Sequence, residues 1–154
     1  MIHVLLDTNV ILKAAIDLYQ EKESRETQII QLAEEGRVTL LLNLTLLEEY
    51  HRVAKRLLGR DFAGWFRNSL LKTLPSVFID ETILESVIAH LNLEIPGEDL
   101  PHFATLIVAG GDILISHNRE FIQKAANAQK AFRCFAPDEF LTWFVEEYSG
   151  KERE

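Results

Sequence analysis

Short apolar stretches alternate with segments of helical spacing along this chain, and that alternation constrains the fold more than any other feature. The first stretch, residues 2–6, is apolar at almost every position, as in a strand that is buried on both faces. Later β-rich stretches read RVTLLLN, SVFID, DILIS and AFRCF, with helical patterns between them. Strands that alternate with helices imply right-handed crossovers, so the sequence predicts an α/β fold with a mainly parallel sheet covered on both faces.

The composition is that of one ordinary folded domain. The 154 residues are 47% apolar and 26% charged, which suits a single domain over residues 1–148 followed by a polar tail at 149–154. No stretch reaches the ~18 unbroken apolar residues of a membrane helix, and the N-terminus lacks the pattern of a secretion signal. The single cysteine, Cys134, excludes an internal disulfide and a cysteine-based zinc site. We therefore expect a cytoplasmic protein that does not bind a membrane.

Four polar residues follow predicted strands or begin predicted helices. Asp7 ends the first strand, Glu49 lies near the start of the helix after TLLLN, Asp99 precedes LPHFATLIVAGG, and Asn118 follows DILIS. Parallel strands bring their carboxyl ends to one edge of a sheet, which is where such folds bind ligands. The sequence therefore predicts that these four side chains lie at the same edge.

Each of these residues also has a purely structural interpretation. The two aspartates and the asparagine suit helix N-caps, and Glu49 suits an exposed helix acid that pairs with Arg52 or Lys55. Glu48 would complete a capping box with Thr45, which leaves Glu49 without a capping role.

A bound cation explains the combination of residues better than four separate caps do. Close carboxylates repel one another and raise one another's pKa unless a cation neutralises them. Hard oxygen ligands suit Mg²⁺ or Mn²⁺, and such an ion can polarise a phosphoryl oxygen and activate a bound water. The sequence thus predicts a Mg²⁺ or Mn²⁺ site formed by Asp7, Glu49 and Asp99.

The motifs DTNVIL, LLEEYHRV and DLPHFATLIVAGGDILISHN resemble the PIN domain family, and in particular its toxin-like branch related to VapC ribonucleases. The motif order covers residues 2–122, and the ending FAPDEFLTWF extends the resemblance over almost the whole chain. The resemblance implies a three-layer α/β/α sandwich around a central parallel sheet. It also implies an acidic pocket that cleaves RNA with the help of a divalent metal ion.

The resemblance assigns catalytic positions to Asp7, Glu49, Asp99 and Asn118, with Glu48 as the alternative in the neighbouring register. Relatives often carry Asp where this chain has Asn118. An amide oxygen can bind a hard cation but adds no charge, so this departure weakens a second metal site or the affinity of the first.

The resemblance gives Thr8, Asn9 and Ser116 the task of ordering the ligands through hydrogen bonds. His102 is interpreted as a packing or supporting residue rather than as a ligand. His117 is a candidate substrate contact, although an exposed loop histidine is more often inert.

An RNA substrate would have to approach an acidic pocket in a chain whose net charge is −8. Residues 51–72 supply local positive charge for contacts with the RNA backbone. The candidates are Arg52, Arg56, Arg60 and Arg67. Phe62, Trp65 and Phe66 suit base stacking, the core or a dimer contact, and we favour the dimer contact because the family commonly forms homodimers.

We therefore expect a Mg²⁺- or Mn²⁺-dependent endoribonuclease that leaves 5′-phosphate and 3′-hydroxyl ends. If it is a toxin, a cognate antitoxin protein would be its partner. The alternative is a PIN-like module that binds RNA or a protein without turnover, with Asn118 marking a weakened site. A phosphatase of the haloacid dehalogenase type is disfavoured, because it needs a second Asp where this chain has Asn9.

Overall fold

Five strands form the centre of the protein in the computed structural model, which describes residues 2–91, 95 and 97–148. In chain order the strands are β1 (Ile2–Leu6), β2 (Val38–Asn43), β3 (Ser76–Ile79), β4 (Ile113–Ile115) and β5 (Arg133–Phe135). All neighbouring pairs are parallel, and the order across the sheet is β3-β2-β1-β4-β5. The prediction of a parallel central sheet is confirmed.

Helices connect the strands and cover the sheet, which gives the predicted three-layer α/β/α architecture. They are α1 (Thr8–Tyr19), α2 (Arg25–Glu34), α3 (Leu44–Leu58), α4 (Arg60–Trp65), α5 (Glu81–Ile88), α6 (Leu100–Ala109), α7 (Arg119–Ala128) and α8 (Pro137–Trp143). Short π-helical turns, Phe66–Leu70 and Phe144–Tyr148, continue α4 and α8, and Leu71–Thr73 forms a 3₁₀ turn.

Within the described residues, no helix has both the length and the apolar character needed to cross a lipid bilayer.

The strand order reverses between β1 and β4. From β1 the chain proceeds to β2 and β3 on one side of the sheet, and it then crosses to β4 and β5 on the other side. Adjacent crossovers therefore diverge at the carboxyl ends of β1 and β4, and this divergence opens a crevice there. Asp7 lies in this crevice, where its backbone N–H donates a 2.9 Å hydrogen bond to the carbonyl of Ile115 at the end of β4.

Helix α3 begins two residues earlier than the predicted capping box would allow. Its N-cap is Asn43, whose side-chain oxygen accepts a 2.7 Å hydrogen bond from the N–H of Leu46. The backbone N–H of Thr45 instead donates a 2.8 Å bond to Glu81. The predicted capping box of Thr45 and Glu48 is therefore wrong, and Glu48 is exposed on the helix.

The asparagine that caps α3 also ties this helix to α6. The side-chain amide of Asn43 donates a 2.6 Å hydrogen bond to the hydroxyl of Thr105, and the same hydroxyl donates to the carbonyl of Pro101 at 2.7 Å. Asn43 and Thr105 are both completely buried. A buried polar pair of this kind has little tolerance for displacement, because a separated partner would be left unsatisfied.

The paired glycines after α6 end that helix and let it pack closely on the sheet. Gly110 adopts the left-handed conformation typical of a helix C-terminus, with φ near +61°. At Gly111 a Cβ atom would lie 2.6 Å from Cδ1 of Leu41 in β2. The absence of a side chain at Gly111 therefore allows the end of α6 to approach the core.

The aromatic residues of the 51–72 segment belong mainly to the core. Phe62 and Phe66 are fully buried, and Trp65 is partly buried beside Tyr19, with 5.1 Å between ring centroids. Base stacking and dimer contacts are therefore wrong for the two phenylalanines, because neither ring is accessible.

Two predicted segments extend beyond what the structure describes. The sequence ETILESVIAHLNL, residues 81–93, has the spacing of a helix; it corresponds to α5, which ends at Ile88, and residues 92 and 93 lie outside the described residues. The predicted polar tail at 149–154 also lies outside them.

Candidate metal centre

Asp7, Glu49 and His102 form a tight cluster at the crevice between β1 and β4. One ligand atom from each residue lies within 4.8 Å of the others. The imidazole Nε2 of His102 is 3.2 Å from Oε2 of Glu49 and 3.8 Å from Oδ1 of Asp7. The histidine is only 2% exposed, so its ring meets the two carboxylates from the interior side of the site.

Each member of the cluster comes from a different element. Asp7 is the N-cap of α1 and accepts a 2.8 Å hydrogen bond from the N–H of Thr8, so the predicted capping role is confirmed, and the same residue belongs to the cluster. Glu49 projects from the second turn of α3, and His102 from the first turn of α6. The packing of α1, α3 and α6 thus brings together residues that are far apart in sequence, such as Glu49 and His102, which are separated by 53 positions.

Asp99 lies outside the tight cluster, but it lines the same surface pocket as Asp7 and Glu49. It is the N-cap residue of α6, yet its side chain makes no capping hydrogen bond. The residue is only 8% exposed, and its Oδ2 atom has no hydrogen-bond partner among the described residues. A charged carboxylate oxygen that is buried without a hydrogen-bond donor destabilises the metal-free protein. Such an oxygen is a suitable ligand for a divalent cation.

Burial, hydrogen bonds and neighbouring charges shift the pKa values of Asp99, Glu49 and His102. Burial, reinforced by the nearby Asp7 carboxylate, raises the pKa of Asp99 to about 6. The hydrogen bond from His102 lowers the pKa of Glu49 even though burial opposes this. Burial also opposes charge on His102, but the bond to Glu49 and the nearby carboxylates outweigh it and raise the pKa of the imidazole.

The residues predicted to order the ligands make hydrogen bonds of that kind. The hydroxyl of Ser116, which is completely buried, donates a 2.6 Å bond to Oδ2 of Asp7. The hydroxyl of Thr8 donates to Oε2 of Glu49. Asn9 accepts a 3.1 Å bond from the backbone N–H of His117 and so joins the start of α1 to the loop after β4.

Asn118 lines the pocket and caps α7. Its side-chain oxygen accepts a 3.2 Å bond from the N–H of Phe121, and its own N–H donates to Ser116 at 2.9 Å. The capping interpretation therefore accounts for the orientation of its amide oxygen. The neighbouring His117 does not line the pocket, and its imidazole forms a 2.9 Å contact with Glu26 instead.

The pocket has an acidic part and an apolar part. It encloses about 500 Å³ and is lined by Asp7, Glu49, Glu98, Asp99 and Asn118 together with apolar side chains of α1 and α3. Glu49 lines this pocket, whereas Glu48 lines a smaller hollow of about 180 Å³ on another side of α3. The geometry thus favours Glu49 over its neighbour as a member of the site.

The structure separates the predicted RNA-binding arginines into three groups. Arg56 lines the acidic pocket, Arg52 and Arg67 line the smaller hollow, and Arg60 lines neither. Lys13, which sequence reasoning did not identify, also lines the acidic pocket, and its ammonium group lies 2.8 Å from Asp17.

His102 was the principal residue that sequence reasoning placed in a lesser role. Its spacing from Asp99 was the available signal, because residues three apart lie on the same face of a helix. Carboxylates suit Mg²⁺ and Mn²⁺, whereas imidazole suits Fe, Ni, Cu and Zn, so a direct contact between His102 and an ion would widen the range of suitable cations. The donor set therefore fits a divalent cation, with Asp7 and Glu49 as its anionic members.

The raised pKa of Asp99 predicts that Asp99→Asn stabilises the metal-free protein above pH 6. A carboxyl group whose pKa rises from 3.8 to about 6 on folding contributes stability below pH 3.8, and this contribution is lost as the pH rises through 6. With EDTA present, we expect the variant to gain about 1–3 kcal/mol in free energy of unfolding at pH 8 and almost nothing at pH 4. Urea denaturation measures this difference.

The exposed Asp61 provides the matched control, and Asp61→Asn should change the stability by less than about 0.5 kcal/mol at both pH values. An equal effect of Asp99→Asn at pH 4 and pH 8 would contradict the assignment of buried, uncompensated charge to Asp99.

Comparison with known proteins gives one family match. The profile of the PIN domain matches residues 3–120. No curated protein matches the sequence. The matched segment contains the cluster of Asp7, Glu49 and His102, and it covers most of the chain. The chain therefore belongs to the PIN domain family.

Proposed function

We propose that this protein is a metal-dependent endoribonuclease that hydrolyses phosphodiester bonds in RNA. PIN domains are generally nucleases, and PIN nucleases typically use divalent metal ions and bind RNA. The observation that carries the proposal is the convergence of Asp7, Glu49 and His102 within 4.8 Å in an open pocket that Asp99 also lines.

Asp7, Glu49 and Asp99 would hold Mg²⁺ or Mn²⁺, and His102 would orient Glu49 through its hydrogen bond to that carboxylate. When bound, such an ion polarises the phosphoryl oxygens and lowers the pKa of a coordinated water. The chain's own residues prepare the ligands for this role. Ser116 fixes one oxygen of Asp7, so that the other remains directed toward Glu49 and His102.

Thr8 and His102 perform the equivalent task for Glu49. Both donate to Oε2 of the carboxylate, and its other oxygen remains available for a ligand. Preorganised ligands of this kind need little rearrangement during the reaction, which is how second-sphere hydrogen bonds support metal sites.

Positive charge beside the pocket would help an RNA strand to approach it. The net charge of the chain is −8, so bulk attraction of RNA does not explain binding. Arg56 lies at the pocket and has no ion-pair partner among the described residues, whereas the charge of Lys13 is shared with Asp17. We assign Arg56 the main contact with the phosphates near the cleaved bond.

A PIN-like binding module without turnover is the second candidate function. Asn118 favours it, because its amide oxygen already caps α7 and supplies no charge to the site. A toxin role, a cognate antitoxin, homodimer formation and a cytoplasmic location remain proposals that rest on the resemblance to the VapC-related branch.

Removal of the Asp7 charge should abolish cleavage if the proposal is correct. With Mg²⁺ or Mn²⁺ and a mixed pool of single-stranded and hairpin RNAs, we expect Asp7→Asn to lower the cleavage rate at least about a hundredfold. EDTA should have the same effect on the wild type. The change should leave the fold intact, because the amide oxygen of asparagine can still cap α1 and its NH2 group can donate to the hydroxyl of Ser116.

The control variant Asp61→Asn, at an exposed position, should cleave at the wild-type rate. Cleavage that survives Asp7→Asn would identify a different site or a contaminant. RNA binding by the wild type without cleavage in either metal would support the binding module instead.

The position of Arg56 at the pocket predicts a larger effect on RNA affinity than any change at Arg60. We expect Arg56→Gln to raise KM about three- to tenfold near 0.1 M salt, with little change in kcat, because the arginine neutralises a phosphate of the bound RNA strand. The slope of log KM against log salt should fall by about 0.7.

Arg60→Gln removes the same charge from the segment but leaves the pocket unchanged, so it serves as the matched control. Equal increases in KM for the two variants would show that the net charge of the segment matters and that the position of Arg56 does not.

A further inference from the structure

Two rows of side chains, which we call the apolar rows, extend from the acidic end of the pocket. Each row has a polar or acidic residue at its first position and apolar residues at the next two, in steps of four residues along one face of a helix. The row on α1 contains Thr8, Leu12 and Ile16, and the row on α3 contains Glu49, Val53 and Leu57. All six residues line the same pocket.

The two rows lie side by side. The hydroxyl of Thr8 donates to Glu49, which joins the rows at their first residues. Both helices begin at the carboxyl ends of adjacent parallel strands, β1 and β2, and both extend from that edge. One helical turn is about 5.4 Å long, so the apolar part of the pocket begins about one turn from the acidic cluster and continues for a second turn.

The outer part of this surface is accessible to a ligand. Leu12 is buried and packs in the core, but Leu57 at the far end of the α3 row is 49% exposed. Ile16 and Val53 are partly buried. An exposed leucine at the far end of the pocket contributes little to the fold and offers apolar contact area to a ligand.

Cationic side chains border the apolar rows. Lys13 follows Leu12 on α1, Arg56 precedes Leu57 on α3, and both cations line the pocket. The pocket therefore presents an acidic end that suits a cation, an apolar surface one turn away, and positive charge beside that surface. A nucleotide has the complementary parts, because its phosphate is anionic and the faces of its base are apolar.

From this arrangement we infer that the apolar rows of α1 and α3 form a subsite for one unpaired nucleobase next to the cleaved phosphodiester. The inference rests on the proposed ribonuclease function and specifies its substrate class. A base within a duplex has both faces covered by its stacked neighbours, so only a single strand, loop or bulge can place a base on these side chains.

Leu57 allows the subsite to be tested without disturbing the core. The substrates are a 12-nucleotide single-stranded RNA and a series in which one nucleotide at a time is abasic, each cleaved in the presence of Mn²⁺. We expect Leu57→Ala to raise KM for the intact strand about five- to twentyfold and to leave kcat nearly unchanged. With the wild type, one abasic position near the cleaved bond should raise KM similarly.

The decisive measurement combines Leu57→Ala with the strand that is abasic near the cleaved bond. If the base at that position rests on Leu57, the abasic strand should show little additional increase in KM with Leu57→Ala, because the contact is already absent. Leu58→Ala is the matched control, since Leu58 is the next residue of α3 and is 41% exposed but does not line the pocket. It should behave as the wild type on every strand.

The outcomes separate the subsite from the ribonuclease proposal. Cleavage by the wild type with equal KM values for Leu57→Ala and Leu58→Ala would overturn the subsite and leave the ribonuclease proposal intact. Additive effects of Leu57→Ala and every abasic position would overturn it as well. If the wild type cleaves no RNA in Mg²⁺ or Mn²⁺, the ribonuclease proposal fails, and the subsite fails with it.

Discussion

Repulsion among carboxylates at the crevice between β1 and β4 is the constraint on which the site depends. The protein compensates the three acidic side chains unequally. Asp7 receives a hydrogen bond from Ser116, and Glu49 receives bonds from Thr8 and His102. Oδ2 of Asp99 receives none from the described residues, and its pKa rises to about 6. A cation is therefore stabilised most beside Asp99, because this is the carboxylate whose charge the protein compensates least.

Buried polar contacts in the scaffold keep these side chains in one place. Asn43 caps α3 and donates to Thr105 of α6, so the helices that carry Glu49 and His102 are joined beneath the site. The hydroxyl of Tyr50, the residue after Glu49, donates to the carbonyl of Leu6, the residue before Asp7. Each of these contacts fixes the backbone next to a residue of the cluster. The site thus rests on rigid elements rather than on mobile loops.

The sequence predicted the sheet and the location of the site because both follow from local patterns. Five apolar runs separated by helices determine a parallel sheet, and residues that follow its strands must lie at its carboxyl edge. Asp7 and Ser116 could be placed on that basis alone. The start of α3 was predicted wrongly, because Asn43 and Thr45 are both good caps and only the contacts with Thr105 and Glu81 decide between them.

Other features depended on tertiary packing that no local pattern contains. His102 lies beside Glu49 because α3 and α6 meet across the edge of the sheet, and no spacing along the chain specifies that contact. The sequence suggested Phe62 and Phe66 as interface residues, but α4 and the π-helical turn after it direct both rings into the core. Arg56 and Arg60 have the same charge and are close in sequence, but α3 ends between them at Gly59, and only Arg56 lines the pocket.

Direct observation of a bound ion would decide whether these acidic side chains form a metal centre. The measurement is anomalous X-ray diffraction from crystals of the wild-type protein soaked in Mn²⁺. We expect an anomalous peak in the pocket, with oxygens of Asp7 and Glu49 about 2.0–2.4 Å from the ion and Asp99 within reach of it directly or through a water. A pocket without a peak at saturating Mn²⁺, or a peak bound only by residues elsewhere, would contradict it.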